Sequence, residues 1–151
     1  MATWNVSGMN DGTEEREVLE VLVNARLDIS GMTETKWKVS DVREWECGMA
    51  VCAGVSEGTA REGACLFVSS KWKECVREYG AVGSRIVWVR MNVGIQTWVI
   101  VCVYAPTEDK LVGEKEEFWV NVEACLDKFD KNERIFLIGR RFDPHSEIRN
   151  I

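Results

Sequence analysis

The sequence predicts a mixed α/β domain whose sheet is rich in antiparallel pairs. Three observations predict it. A short apolar strand precedes an amphipathic helix, a central block of alternating apolar runs is joined by short turns, and a second amphipathic helix leads into a last apolar strand. The 151 residues suit one domain with a real core, and 46% hydrophobic with 29% charged residues marks a folded chain. No repeat, linker or low-complexity stretch divides it.

"ATWNV" is the first strand, and "GMNDGTE" after it is turn chemistry. A helix is expected from Thr13, as its N-cap, to Arg26. Val18, Leu19, Leu22 and Ala25 share one face, and Glu14, Glu15 and Glu17 suit the positive end of the helix dipole. "LDISGMTE" reads as a short strand running into a loop. "CGMAVCAGV" and "GACLFVSS" read as a hairpin around the polar "SEGTARE". "RIVWVRMNV" and "QTWVIVCVYAP" alternate well, meet at "GI" in a tight turn, and stop at Pro106. A second helix is expected over 114–130, with Phe118, Val122, Cys125, Leu126 and Phe129 on one face, and "RIFLIG" is the final strand.

Charge and cysteine usage exclude several classes. A net charge of −6 gives no broad attraction to phosphate polymers, so nucleic-acid binding must rest on a local basic cluster or a bound cation. The six cysteines, at 47, 52, 65, 75, 102 and 125, form no CxxC pair, and with one histidine in the chain structural zinc is not expected. Cys65 and Cys102 sit inside apolar runs and read as reduced, buried thiols. With no signal peptide and no run long enough to span a bilayer, the expected setting is intracellular, reducing and away from membranes. Seven tryptophans demand a large interior or a contact surface to cover their rings.

Three strand ends present polar residues where an apolar run stops: Asn5 after "TW", Glu34 in "GMTETKW" and Tyr104 in "VCVYAPT". A rigid sheet can hold such residues in convergence. Taken singly, they read as a turn residue, a solvated carboxylate and a packed ring with its hydroxyl at the surface.

Their order and surroundings say more. "TWNVSGMN", "LDISGMTETKW", "GACLFVSSKW", "SRIVWVRM", "WVIVCVYAPT" and "RIFLIG" resemble, over nearly the whole chain, the successive blocks of the endonuclease/exonuclease/phosphatase family. Within it, the nearest branches are the apurinic-type endonuclease domains of non-LTR retrotransposons and the craniofacial development protein 2-like proteins. The resemblance implies a four-layer αββα sandwich with mixed, mostly antiparallel sheets flanked by helices, of which this chain is the N-terminal portion, one partial unit over 1–151. It also implies phosphodiester cleavage with Mg²⁺ or Mn²⁺, with Asn5 and Glu34 at the metal and Tyr104 by the scissile phosphate. Oxygen ligands and few protein carboxylates suit Mg²⁺.

The pattern then breaks. After the strand that "RIFLIG" resembles, the family expects Gly-Asp-x-Asn, and this chain has Gly139, Arg140, Arg141 and Phe142. Arginine stays protonated and cannot act as a base. Losing a positioned base costs ~10²–10⁴ in rate. A cation at roughly 4 Å from Mg²⁺ opposes it by about 4 kcal/mol per unit charge at an effective dielectric near 20. Asp143 lies three residues past the expected position and on the opposite face of a continuing strand, so a bulge would be needed to recruit it. His145 reads as a loop histidine. The serine at position 7 also differs from relatives with an acid there. The family's later Ser-Asp-His block is not found in these residues, and relatives have further strand residues before "TWN".

The expected function is therefore a divalent-metal phosphodiesterase or DNA endonuclease domain that is impaired or inactive. The alternative is a non-catalytic remnant acting as an interaction or nucleic-acid-binding module. Open sheet edges would invite self-association. Lys36, Lys38, Arg140 and Arg141, if they converge on one rim, would contact phosphate without cutting it.

Overall fold

A computed structural model describes residues 1–6, 12–33, 35, 41–54, 63–106 and 110–140. The elements in order are β1 (Ala2–Asn5), α1 (Gly12–Asn24), β2 (Ile29–Thr33), β3 (Asp41–Trp45), β4 (Gly48–Ala53), β5 (Ala64–Ser69), a 3₁₀ turn (Lys73–Cys75), β6 (Val76–Val82), β7 (Ile86–Val93), β8 (Gln96–Tyr104), α2 (Val112–Leu126) and β9 (Arg134–Arg140). One sheet runs β1-β2-β5-β4-β3 and the other β6-β7-β8-β9. Only β1–β2 and β8–β9 pair in parallel; in each case the strands are joined through a helix, as a parallel connection requires.

Four layers follow from three apolar seams. Val18 and Leu22 of α1 cover Met32, Ala50, Cys52, Cys65 and Phe67 on the outer face of the first sheet. Phe118, Val122 and Cys125 of α2 cover Ile86, Val99, Val101, Val103 and Leu137 on the outer face of the second. Between the sheets lie Ile29, Val51, Leu66, Val87, Val89, Ile100, Cys102 and Ile138. This is the αββα sandwich, with two mixed sheets flanked by helices. Because β2, β4, β5 and most of β8 are buried on both faces, they read as continuous apolar runs rather than alternations.

Several boundaries differ from expectation. The first helix begins at Gly12, so Thr13 is its second residue and not the cap. It stops at Asn24 because Arg26 takes a left-handed φ of 53°, which leaves Ala25 exposed and off the buried face. Phe129 is buried, but it lies beyond the end of α2. β3 and β6 have no counterpart in the sequence reading. "DVREW" and "VREYGAV" are charged and largely exposed, since each pairs on one side only at the edge of its sheet. The six tryptophans within the described residues are all partly covered and none is exposed.

Cys65 is not a reduced thiol. It is bonded to Cys52, its direct partner in the antiparallel β4–β5 register, with a Cα–Cα distance of 4.2 Å. Sequence separation of 13 hides a contact that the hairpin register creates. Cys102 is free and fully buried, as expected.

Candidate functional site at the strand-end rim

The first question is whether the two sheets deliver their strand ends to one place. A Cβ added to Gly31 of β2 would sit 2.9 Å from Cys102 Sγ of β8 and 3.0 Å from Ile138 Cδ1 of β9. At one end of the sandwich, Met1, Asp28 and Ile29, which begin β1 and β2, line a pocket with Trp98 at the start of β8 and Met91 and Val93 at the end of β7. Strands β1, β2, β8 and β9 therefore run the same way, and their C-terminal ends share the opposite rim. Asn5, Thr33, Tyr104 and Arg140 all end strands there.

In the first sheet, the parallel ladder continues one step past β1, with Val6 N–H donating to Thr33 O at 3.1 Å. Thr35 N–H reaches Gly63 O at 3.4 Å, tying the segment after β2 to the start of β5. Thr33 and Thr35 are fully buried, and neither hydroxyl has a hydrogen-bond partner among the described residues. Glu34 stands between them in the chain but lies outside the described residues, as do Lys36, Lys38, Arg141, Phe142, Asp143 and His145. Asn5 is half-buried at the end of β1.

In the second sheet, Tyr104 is 6% exposed and is the register partner of Arg140 across the parallel β8–β9 pair. Sequence reasoning missed Arg85. Its carbonyl accepts from Tyr104 N–H at 2.8 Å, its Nη1 donates to Tyr104 O at 3.1 Å, and its guanidinium lies 5.3 Å from the Tyr104 ring centroid. Arg85 sits in the turn between β6 and β7, so this clasp joins residues that are far apart in sequence. Next to it opens a cleft of 210 Å³ lined by Ser84, Arg85, Glu114, Glu117 and Asn121 among others.

The resemblance assigns a divalent cation to Asn5 and to Glu34, oxygen donors of the kind Mg²⁺ takes, and Glu34 lies outside the described residues. Among the described residues no three His, Cys, Asp or Glu side chains gather to hold a metal. No described helix is long and apolar enough to cross a membrane.

Comparison with known proteins accords with this geometry. No family model matches the sequence. The chain is 25% identical over 140 residues to craniofacial development protein 2 of Bos taurus and 24% identical to that of Tragulus javanicus, covering 92% of this chain in each case. It spans about a quarter of those relatives' length, 23% and 24%. Among solved structures, the catalytic domain of Xenopus laevis APE2 superposes with a TM-score of 0.63 at 15% identity, covering 91% of this chain and 56% of that one. The endonuclease domain of TRAS1, a telomere-specific non-LTR retrotransposon, gives 0.56 at 15% identity, with coverage of 91% and 56%. The AP endonuclease LMAP of Leishmania major gives 0.56 at 11% identity, covering 83% of this chain and 46% of that one. The fold is that of the endonuclease/exonuclease/phosphatase type.

Proposed function

We propose that this chain, built on an endonuclease-type fold, is a phosphodiesterase-like domain that binds nucleic-acid phosphate at the strand-end rim and cleaves it poorly or not at all. The observation that carries the reading is the pairing of Tyr104 with Arg140 at the ends of neighbouring parallel strands. The residue that the resemblance sets by the phosphate is thus the register partner of an arginine where the resemblance expects an acid.

Asn5 and Glu34 would hold Mg²⁺ or Mn²⁺, and that cation, when bound, supplies charge stabilisation to a phosphoryl oxygen. The chain's own residues account for binding. Tyr104, 6% exposed, ends β8 at the rim, and Arg85 bonds both its backbone N–H and its carbonyl. Arg140 adds a permanent positive charge that attracts a phosphodiester and cannot take a proton from water. With a net charge of −6, such binding is local and salt-sensitive. DNA is the substrate class favoured by the retrotransposon-like neighbour, and Lys36, Lys38 and Arg141 are the further phosphate contacts we assign.

The experiment is plasmid nicking with Mg²⁺ or Mn²⁺ by the purified chain beside Glu34→Gln, with DNA affinity measured in parallel. The expected outcome is no nicking by either protein, with binding that weakens about tenfold in Arg140→Ala, the loss of one charge-assisted contact. Nicking that disappears in Glu34→Gln would overturn the impaired reading. Absence of both nicking and binding would overturn the nucleic-acid reading altogether.

A further inference from the structure

Tyr104 is the last residue of β8, and the ladder toward β7 registers only as far as Ile86 with Val103. The chain then passes through Ala105 to Pro106, which has no N–H with which to carry the ladder further. A strand end is where backbone pairing frays and residues gain freedom. Tyr104 is nevertheless 6% exposed, so its carbonyl has little water to fall back on, and a buried carbonyl left unpaired is costly.

One residue closes this end. The Arg85 carbonyl accepts from Tyr104 N–H at 2.8 Å, and the Arg85 side chain returns a bond from Nη1 to Tyr104 O at 3.1 Å. The same guanidinium lies 5.3 Å from the Tyr104 ring centroid, so carbonyl and ring are held by one planar group. Other arginines are directed differently. Arg43 donates to Glu15 at 2.9 Å, and Arg90 donates to Glu133 at 2.9 Å and to Glu78 at 2.7 Å. Arg85 is half-buried and reaches a backbone carbonyl and a ring at the end of β8.

We infer that Arg85 is a positioning residue of the rim: it fixes the backbone and ring of Tyr104, and it adds to phosphate affinity through Tyr104, not as a phosphate contact of its own. This role rests on the reading that the rim binds nucleic-acid phosphate beside Tyr104. The two arginines near Tyr104 then act differently, Arg140 through its charge and Arg85 through geometry. A lysine at position 85 keeps the charge but loses the planar fork that serves a carbonyl and a ring together. Arg85→Lys should therefore behave like Arg85→Ala.

The test is a double-mutant cycle, read as affinity for a short fluorescent DNA duplex in Mg²⁺ over a series of salt concentrations. Tyr104→Phe removes the hydroxyl and keeps the packed ring. In the wild-type background, Arg85→Ala and Arg85→Lys should each weaken binding about fivefold, the scale of one lost hydrogen bond. In the Tyr104→Phe background neither should have a further effect. The salt dependence should stay that of the wild type, whereas loss of a direct phosphate contact would reduce the slope by about 0.9. Tyr79→Phe leaves Tyr104 as the single tyrosine, so a ring-labelled chain reports it by NMR, and its ring signals should move in both Arg85 variants. Circular dichroism checks that each variant is folded, and Arg85→Lys, the milder change, carries the cycle if Arg85→Ala is not. Full rescue by lysine, equal weakening in both backgrounds, a reduced salt slope or unmoved ring signals would each overturn the inference and leave the functional reading in place. No DNA binding by the wild-type chain would overturn the functional reading, and this role with it.

Discussion

Where β2 crosses β8 and β9, Gly31 has no room for one methyl group, because Cys102 and Ile138 already occupy the space. Two residues further along, β2 ends at Thr33, and across the sandwich at that end β9 ends at Arg140, the register partner of Tyr104. The middle of the sandwich is governed by close packing, where a single added atom is felt. Arg140 is the last residue of β9, past the buried Leu137 and Ile138, so exchanging it for a residue of different charge is expected to leave the seams between layers untouched. The difference teaches how a fold can hold its layers by packing while the residue types at its strand ends vary.

The comparison can be tested from its strongest effect down. Gly31→Leu should cost about 3 kcal/mol, the upper range for forcing volume into a packed interior, as read from urea unfolding. A loss under about 0.5 kcal/mol would mean the two sheets are not closely opposed there. Removing the Cys52–Cys65 bond by Cys52→Ala with Cys65→Ala should cost about 2–3 kcal/mol, the range for a loop of this size. Titration of the unfolded wild-type chain with a thiol reagent should find four free cysteines, Cys47, Cys75, Cys102 and Cys125.

Cys102 supplies a pH test of the same interior. Burial pushes its thiol up to about 12, while a backbone hydrogen bond at Met32 acts in the opposite direction. The thiol is neutral in both states below its unfolded value of 9.0, so its contribution there is constant. As pH rises from 9 toward 12, the unfolded chain loses this proton and the folded one keeps it. Stability should therefore fall with rising pH, by up to about 1.4 kcal/mol per pH unit from this group. Cys102→Ala should flatten that part of the alkaline profile, and an unchanged slope would place the thiol in contact with water. The smallest effect belongs to the rim. Arg140→Asp should shift unfolding stability by less than about 0.5 kcal/mol while it changes phosphate or metal binding. A large loss of stability would erase the distinction between rim and middle.

Much of this fold was legible because buried strands and amphipathic helices write themselves as apolar runs. β4, β5, β7, β8 and β9 are such runs, and the "GI" turn between β7 and β8 follows from Gly94 with its φ of 63°. β3 and β6 were not legible, because an edge strand is held by backbone pairing on one side and its side chains are free to be charged. Asn5, Glu34 and Tyr104 were singled out only through their block order. Arg85 carries no local signal, since its hold on Tyr104 exists only after β7 pairs with β8.

By itself, then, the sequence determined the fold class, the order of most elements, the apolar seams and the presence of Arg140 and Phe142 where an acid and an amide were expected. These are properties of residue type and spacing along one chain. Tertiary structure alone decided that Cys52 meets Cys65, that Tyr104 is the register partner of Arg140, and that four strand ends share one rim. Each depends on register and on which face of one sheet meets another, and those are set by packing between segments that no local pattern connects.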